Sequence, residues 1–170
     1  MRAALAILSL LALTACGTSR QVATAPAVVA PHRAELGEPI SCVPYARARS
    51  GIGLAGDAWQ WWDAAAGRYG RGNAPRPGSV LVIARTARMP SGHVAVVSRV
   101  LNSREVMVDH ANWASGAARG RIATDQRVVD VSPRNDWTLV RVWYPRINDL
   151  GITAFPARGF VHNQTVMASR

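Results

Sequence analysis

The chain has 170 residues, 49% of them hydrophobic, and a net charge of +10. That length builds one domain with a real core rather than two large ones, and the apolar share excludes a largely disordered chain. All 20 basic residues are arginine. They favour anionic partners, but they form no dense run and accompany no recognition motif, so nucleic-acid binding is not expected.

The chain starts with Arg2 and an apolar run from Ala3 to Leu13. The run is too short for a spanning helix and reads as a signal peptide over residues 1–15. Its end, Leu13-Thr14-Ala15-Cys16, resembles the bacterial lipobox, which implies cleavage before Cys16 and lipidation of its sulfur. Gly17 after that cysteine, rather than Asp, resembles lipoproteins sent to the outer membrane and facing the periplasm. Residues 16–38 are rich in Ala, Pro, Thr and Ser without helix or strand period, and read as a lipidated tether. With Cys16 held by lipid, Cys42 has no disulfide partner and becomes a candidate nucleophile in an exported protein.

The domain proper is expected over residues 39–147. Pro44 suits the first turn of a helix running to Arg49, which puts Cys42 at the helix start. There the dipole and free N–H groups are expected to lower the thiol pKa. Asp57 is a good N-cap for a second helix, Ala58 to Ala66. In that helix Trp59 and Trp62 share a core face, while Trp61 points elsewhere and is a surface candidate for substrate binding. Arg68 to Gly78 reads as a loop. Strands are expected at Ser79–Ala84, His93–Val100, Glu105–His110, Gln126–Val131 and Trp137–Tyr144, joined by short links as an antiparallel meander. Helices followed by strands predict an α+β fold, with N-terminal helices packed on the sheet. Residues 148–170 lose the period and read as a C-terminal extension.

Three groups carry chemistry: Cys42 at a helix start, Gly92-His93 opening a strand, and Asp109-His110-Ala111-Asn112-Trp113 ending the next. A thiol amidase needs a thiol, an imidazole that exchanges its proton, and a polar group that orients the imidazole. Strand parity places His110 and Asn112 on one side and Asp109 on the other, so His110 is the better orienting group unless a bulge reverses it. Trp113 adjoins this site and is placed to wall a cleft and stack on a sugar. Each residue also has an ordinary reading: Cys42 as inert core, His93 or His110 as a hydrogen-bonded structural residue, Asn112 as a turn residue. Zinc on Cys42, His93 and His110 is a further alternative, but the spacing matches no short zinc motif, and no metal or cofactor is expected.

Taken together, Ser41-Cys42-Val43-Pro44-Tyr45-Ala46-Arg47, Ala55-Gly56-Asp57-Ala58 with Trp62, Pro77-Gly78-Ser79-Val80-Leu81, Gly92-His93-Val94-Ala95-Val96-Val97 and His110-Ala111-Asn112-Trp113 resemble a CHAP domain (cysteine, histidine-dependent amidohydrolase/peptidase). The resemblance implies a papain-like fold and cleavage of peptidoglycan, either at the N-acetylmuramoyl-L-alanine amide or within the stem and its cross-links. It makes Cys42 the nucleophile, His93 the general acid/base, His110 the residue that orients His93, and Asn112 a supporting polar group. It implies peptidoglycan as partner, with the membrane held through lipid on Cys16. The chain departs from the family where His110 replaces a carboxylate and where Ile40-Ser41 lacks an oxyanion-stabilising Gln. Those departures support a second reading, a catalytically silent envelope domain that binds peptidoglycan or a protein. A third is an NlpC-type endopeptidase, since those enzymes use a histidine at the His110 position; Asn112-Trp113 and the Ser41–Arg47 stretch argue against it.

Overall fold

The computed structural model describes residues 39–113 and 119–165. The expected leader, Cys16 and the tether lie outside the described residues.

Helix α1, Cys42–Ser50, carries Pro44 in its first turn and ends at Gly51, whose left-handed backbone (φ 72°) returns its N–H to Arg47 O at 2.9 Å. The expected second helix is shorter and differently wound: a 3-10 turn, Ala58–Gln60, runs into α2, Trp61–Ala64. Trp59 N–H donates to Ser91 O at 3.2 Å, which pins that turn. A 3-10 turn advances about 120° per residue instead of about 100°, so the tryptophan phase shifts. Trp61 is therefore fully buried and is no surface ligand. Trp62 is half-buried against the same core, and Trp59 stacks under Arg85 at 4.4 Å.

Eight strands follow: β1 Tyr69–Gly72, β2 Val80–Ile83, β3 His93–Asn102, β4 Glu105–Ala111, β5 Ile122–Asp130, β6 Leu139–Tyr144, β7 Asp149–Leu150 and β8 Phe155–Thr165. Every pairing is antiparallel. The expectation of a papain-like α+β fold is overturned. The described chain is mostly β, and six strands close into a barrel in the order β8, β2, β3, β4, β5, β6 and back to β8. Closure comes from the segment read as a C-terminal extension. The start of β8 pairs with β6 (Val140 with Phe155), and its middle pairs with β2 (Leu81 with Phe160). Irregularities in register on β3–β4, β4–β5 and β2–β8 bend the sheet, as bulges do where barrels turn. Gly159 sits at the last of these with φ 117°; a Cβ there would lie 2.8 Å from Gly72 O. Gly72 itself belongs to β1, in a stretch read as loop.

Alternation along the strands sorts side chains into two cores. Leu81, Ala95, Val97, Val106, Val108 and Val128 face inward with Val140, Val142 and Phe160 and fill the barrel. Val80, Val82, Val94 and Val96 face outward and pack under Ala46 of α1 and Trp61 of α2. The helices thus lie on the outside of a barrel wall formed by β2 and β3.

Candidate active site

His93 is the first residue of β3 and shares the inward parity of Ala95 and Val97; His110 on β4 shares that of Val106 and Val108. The parity argument for His110 over Asp109 therefore agrees with the structure. Both imidazoles point into one mouth of the barrel, and His93 Nε2 lies 3.1 Å from His110 Nδ1. They are almost completely buried, at 3% and 1% exposure. Trp113 covers them: its ring stacks on His110 (5.7 Å, 23°), meets His93 edge-on (4.8 Å) and is backed by Phe155 (5.1 Å). Exclusion of water has an electrostatic consequence. Burial lowers the His110 pKa to about 4, and burial together with repulsion from His110 holds His93 well below 6.5. Both rings are neutral at neutral pH.

Cys42 approaches the same mouth from outside. It is a free, half-buried thiol at the first residue of α1, packed against the outer core. Its environment pulls two ways. Burial raises the thiol pKa, while the backbone N–H groups of Val94, Cys42 and Val43 favour the thiolate. Burial prevails, with a smaller contribution from Asp57, so the expected drop in pKa at the helix start does not occur. The helix N–H groups are present; desolvation of the sulfur outweighs them.

Cys42, His93, Asn112 and Trp113 all line one cleft of about 1370 Å³. Asn112 has left-handed backbone (φ 59°), and its side-chain oxygen accepts the Gly120 N–H at 2.9 Å. It shapes the β4–β5 connection, and that bond is not to either histidine. Asp109 points away, as parity requires. Its carboxylate binds Arg49 Nε of α1 at 3.0 Å and the Asp125 N–H at 3.0 Å, which ties the helix that carries Cys42 to β4 and β5. Gly92, just before His93, has φ 65°, and a Cβ there would lie 2.8 Å from Ile83 O and 2.9 Å from Trp59 N. Phe155 behind Trp113 was hidden in the stretch read as an extension, which carried no signal for a barrel strand. Arg88 and Arg119 on the cleft wall are distant in sequence and also gave none. Among the described residues no group of three His, Cys, Asp or Glu side chains is arranged to hold a metal ion.

This geometry coincides with a match in sequence. The CHAP-domain family model matches residues 34–112, a span that includes Cys42, His93 and His110. Over those residues the chain matches the CHAP domain. No curated protein and no solved structure matches it. CHAP domains typify hydrolases and amidases that act on peptidoglycan. Within the matched span the three polar residues come from three elements: Cys42 from α1 outside the barrel, the two imidazoles from β3 and β4 inside it.

Proposed function

We propose that the protein is a peptidoglycan hydrolase that cleaves an amide, either N-acetylmuramoyl-L-alanine or a stem or cross-link peptide bond, by a cysteine–histidine mechanism. The observation that carries this reading is that buried His93, held 3.1 Å from His110, lines the same cleft as the free Cys42 thiol.

The mechanism starts from neutral groups. For His93 to serve as base, its proton resides on Nε2 and is donated to His110 Nδ1, which leaves His93 Nδ1 free to accept the thiol proton. As that proton moves, the Cys42 sulfur attacks the amide carbonyl carbon, and the backbone N–H groups at the start of α1 are available to the oxyanion. The His93 imidazolium then protonates the leaving amine and the C–N bond breaks. Water, deprotonated by His93, attacks the thioester and releases the carboxylic acid and the thiol. His110 supplies a lone pair rather than a negative charge. It fixes the His93 tautomer as a carboxylate would but stabilises the imidazolium less. Cys16 would carry lipid and anchor the domain to the envelope, most naturally the outer membrane facing the periplasm.

The test is digestion of purified sacculi by the full chain, with soluble fragments identified by mass spectrometry. Wild type should release fragments with one type of new terminus, and Cys42→Ala should release none. Equal release by both proteins sinks the mechanism.

A second reading, a silent domain that binds peptidoglycan or a protein partner, draws on the raised Cys42 pKa. It predicts that sacculi bind wild type and Cys42→Ala equally and are degraded by neither.

A further inference from the structure

The cleft also carries a pattern of charge that the hydrolytic machinery does not use. Most arginines described in the structure are spoken for. Arg49, Arg99, Arg104, Arg127, Arg134 and Arg158 pair with carboxylates. Arg71 and Arg141 donate to backbone carbonyls, Arg76 donates to Gln164, and Arg85 lies over Trp59. Arg47, Arg88 and Arg119 are different. Among the described residues none of the three has an ion pair or a side-chain hydrogen bond, and all three are exposed on the wall of the Cys42–His93 cleft. They arrive from three separate elements: Arg47 from α1, one turn beyond Cys42; Arg88 from the β2–β3 loop; and Arg119 from the β4–β5 connection. Among the described residues the only carboxylate on that wall is Asp57. The connection from β6 to β8 contributes apolar groups instead, Ile147 and Ile152, at 53% and 89% exposure.

A cleft with three uncompensated guanidinium groups and one carboxylate has a net positive field focused by its low-dielectric walls. Guanidinium is also the side chain best matched to a carboxylate, through paired N–H donors. We infer that Arg47, Arg88 and Arg119 select a peptide substrate bearing free carboxylates beside the scissile amide, and discriminate against the same peptide with those carboxylates amidated. This rests on the hydrolase reading for its choice of a peptide stem, but the charge selection is a property of binding. It can be measured without turnover.

The experiment uses two soluble peptidoglycan stem peptides, identical except that one has free and the other amidated side carboxylates. Dissociation constants are measured calorimetrically with the full-length Cys42→Ala protein, and kcat and KM with wild type. The free-acid peptide should bind more tightly. Each of Arg47→Gln, Arg88→Gln and Arg119→Gln, made in the Cys42→Ala background, should shrink that preference by about two- to five-fold, the range for exposed ion pairs. The preference should also fall as salt rises. In wild type the effect should appear in KM, with kcat little changed, because the arginines touch the substrate away from the reacting bond. Arg146→Gln, a change to an exposed arginine outside the cleft lining, controls for overall charge. Equal affinity for the two peptides overturns the inference, as does an equal loss from Arg146→Gln. If the free-acid peptide binds selectively and neither is cleaved, the hydrolase reading fails and the selectivity stands. If both are cleaved with equal kcat/KM, the reverse holds.

Discussion

The buried histidine pair makes a prediction about stability that can be worked through with its sign. His110 has an ordinary pKa of 6.5 and a folded-state pKa of about 4. Between those values the unfolded chain binds a proton that the folded chain refuses. Stability depends on pH with the sign of the protons bound unfolded minus those bound folded, which is positive here. Stability from this group is therefore lost as pH falls from 6.5 toward about 4, levels off below that, and is unaffected above 6.5. The full drop is about 3 kcal/mol, since one pKa unit is about 1.4 kcal/mol. The informative variant is His110→Asn. The Asn side-chain oxygen can accept the His93 N–H much as His110 Nδ1 does, so the bond is kept while the titrating group is removed. Urea unfolding followed by tryptophan fluorescence gives the stability of both proteins across this pH range. Carboxylates titrate in both proteins and largely cancel in the difference, while His93, relieved in the variant of the repulsion from His110, adds to the difference in the same direction. Wild type should lose at least about 3 kcal/mol more than His110→Asn between pH 6.5 and 4. Parallel curves would show that His110 is solvated or charged in the fold, and the picture of two neutral, water-shielded imidazoles would fail.

Other consequences follow from the same site. The acid limb of kcat/KM should lie below pH 6.5, because His93 must be neutral to accept a proton and its pKa is held down by burial and by His110; an inflection at or above 6.5 contradicts this. Alkylation of Cys42 by iodoacetamide should accelerate with pH up to and beyond the ordinary thiol value of 9.0, since burial raises its pKa; a fast, pH-independent rate down to acid would reveal a preformed thiolate–imidazolium pair instead. His110→Leu should lower kcat on the order of 100-fold, the low end for loss of acid–base function, while His110→Asn retains most activity; equal effects would remove the orienting role. Gly92→Ala should cost about 2 kcal/mol from its left-handed backbone alone, with more from contact with Ile83 O, measured by thermal unfolding; an unchanged midpoint would mean the turn before His93 is not held as described.

The site was legible in sequence where local rules govern it. Pro44 fixes a helix start at Cys42, and period-2 alternation in Glu105–His110 separates His110 from Asp109; both are short-range arguments. The fold was not legible because closure is a long-range event. Phe155–Thr165 contains Pro156 and Gly159 and shows no clean alternation, since the irregularity near Gly159 shifts its inward set from Ala157 to Phe160. A strand with a register shift looks aperiodic, so the segment that closes the barrel read as an extension. Trp61 is buried against expectation for a related reason: the three-residue 3-10 turn Ala58–Gln60 rotates the helical face that follows it. The Cys42 pKa runs against expectation because the helix start can be seen in sequence and the burial of the sulfur cannot.

The closed barrel also changes what the site depends on. In an open sheet with helices on one face, nucleophile and base would share a layer. Here Cys42 is carried by α1 on the outer face of the wall, while His93 and His110 point inward, so the two halves meet only at the rim. Their alignment is set by what locks α1 to the wall. The buried Asp109 carboxylate, bonded to Arg49 on α1 and to the Asp125 N–H on β5, is that lock, and it neighbours His110 in sequence without touching the chemistry. Asp109→Ala should therefore act as loss of a positioning residue. Removing a buried acceptor that leaves the Asp125 N–H unpaired costs about 1–3 kcal/mol. Because α1 also loses its tether, kcat should fall further than the folded fraction, with the pH dependence of kcat/KM unchanged since His93 and His110 keep their surroundings. Asp109→Asn, which can still accept the Asp125 N–H, should recover most of the stability and less of the rate. If activity simply tracks the folded fraction in both variants, Asp109 holds the barrel together and does nothing for the register between Cys42 and His93.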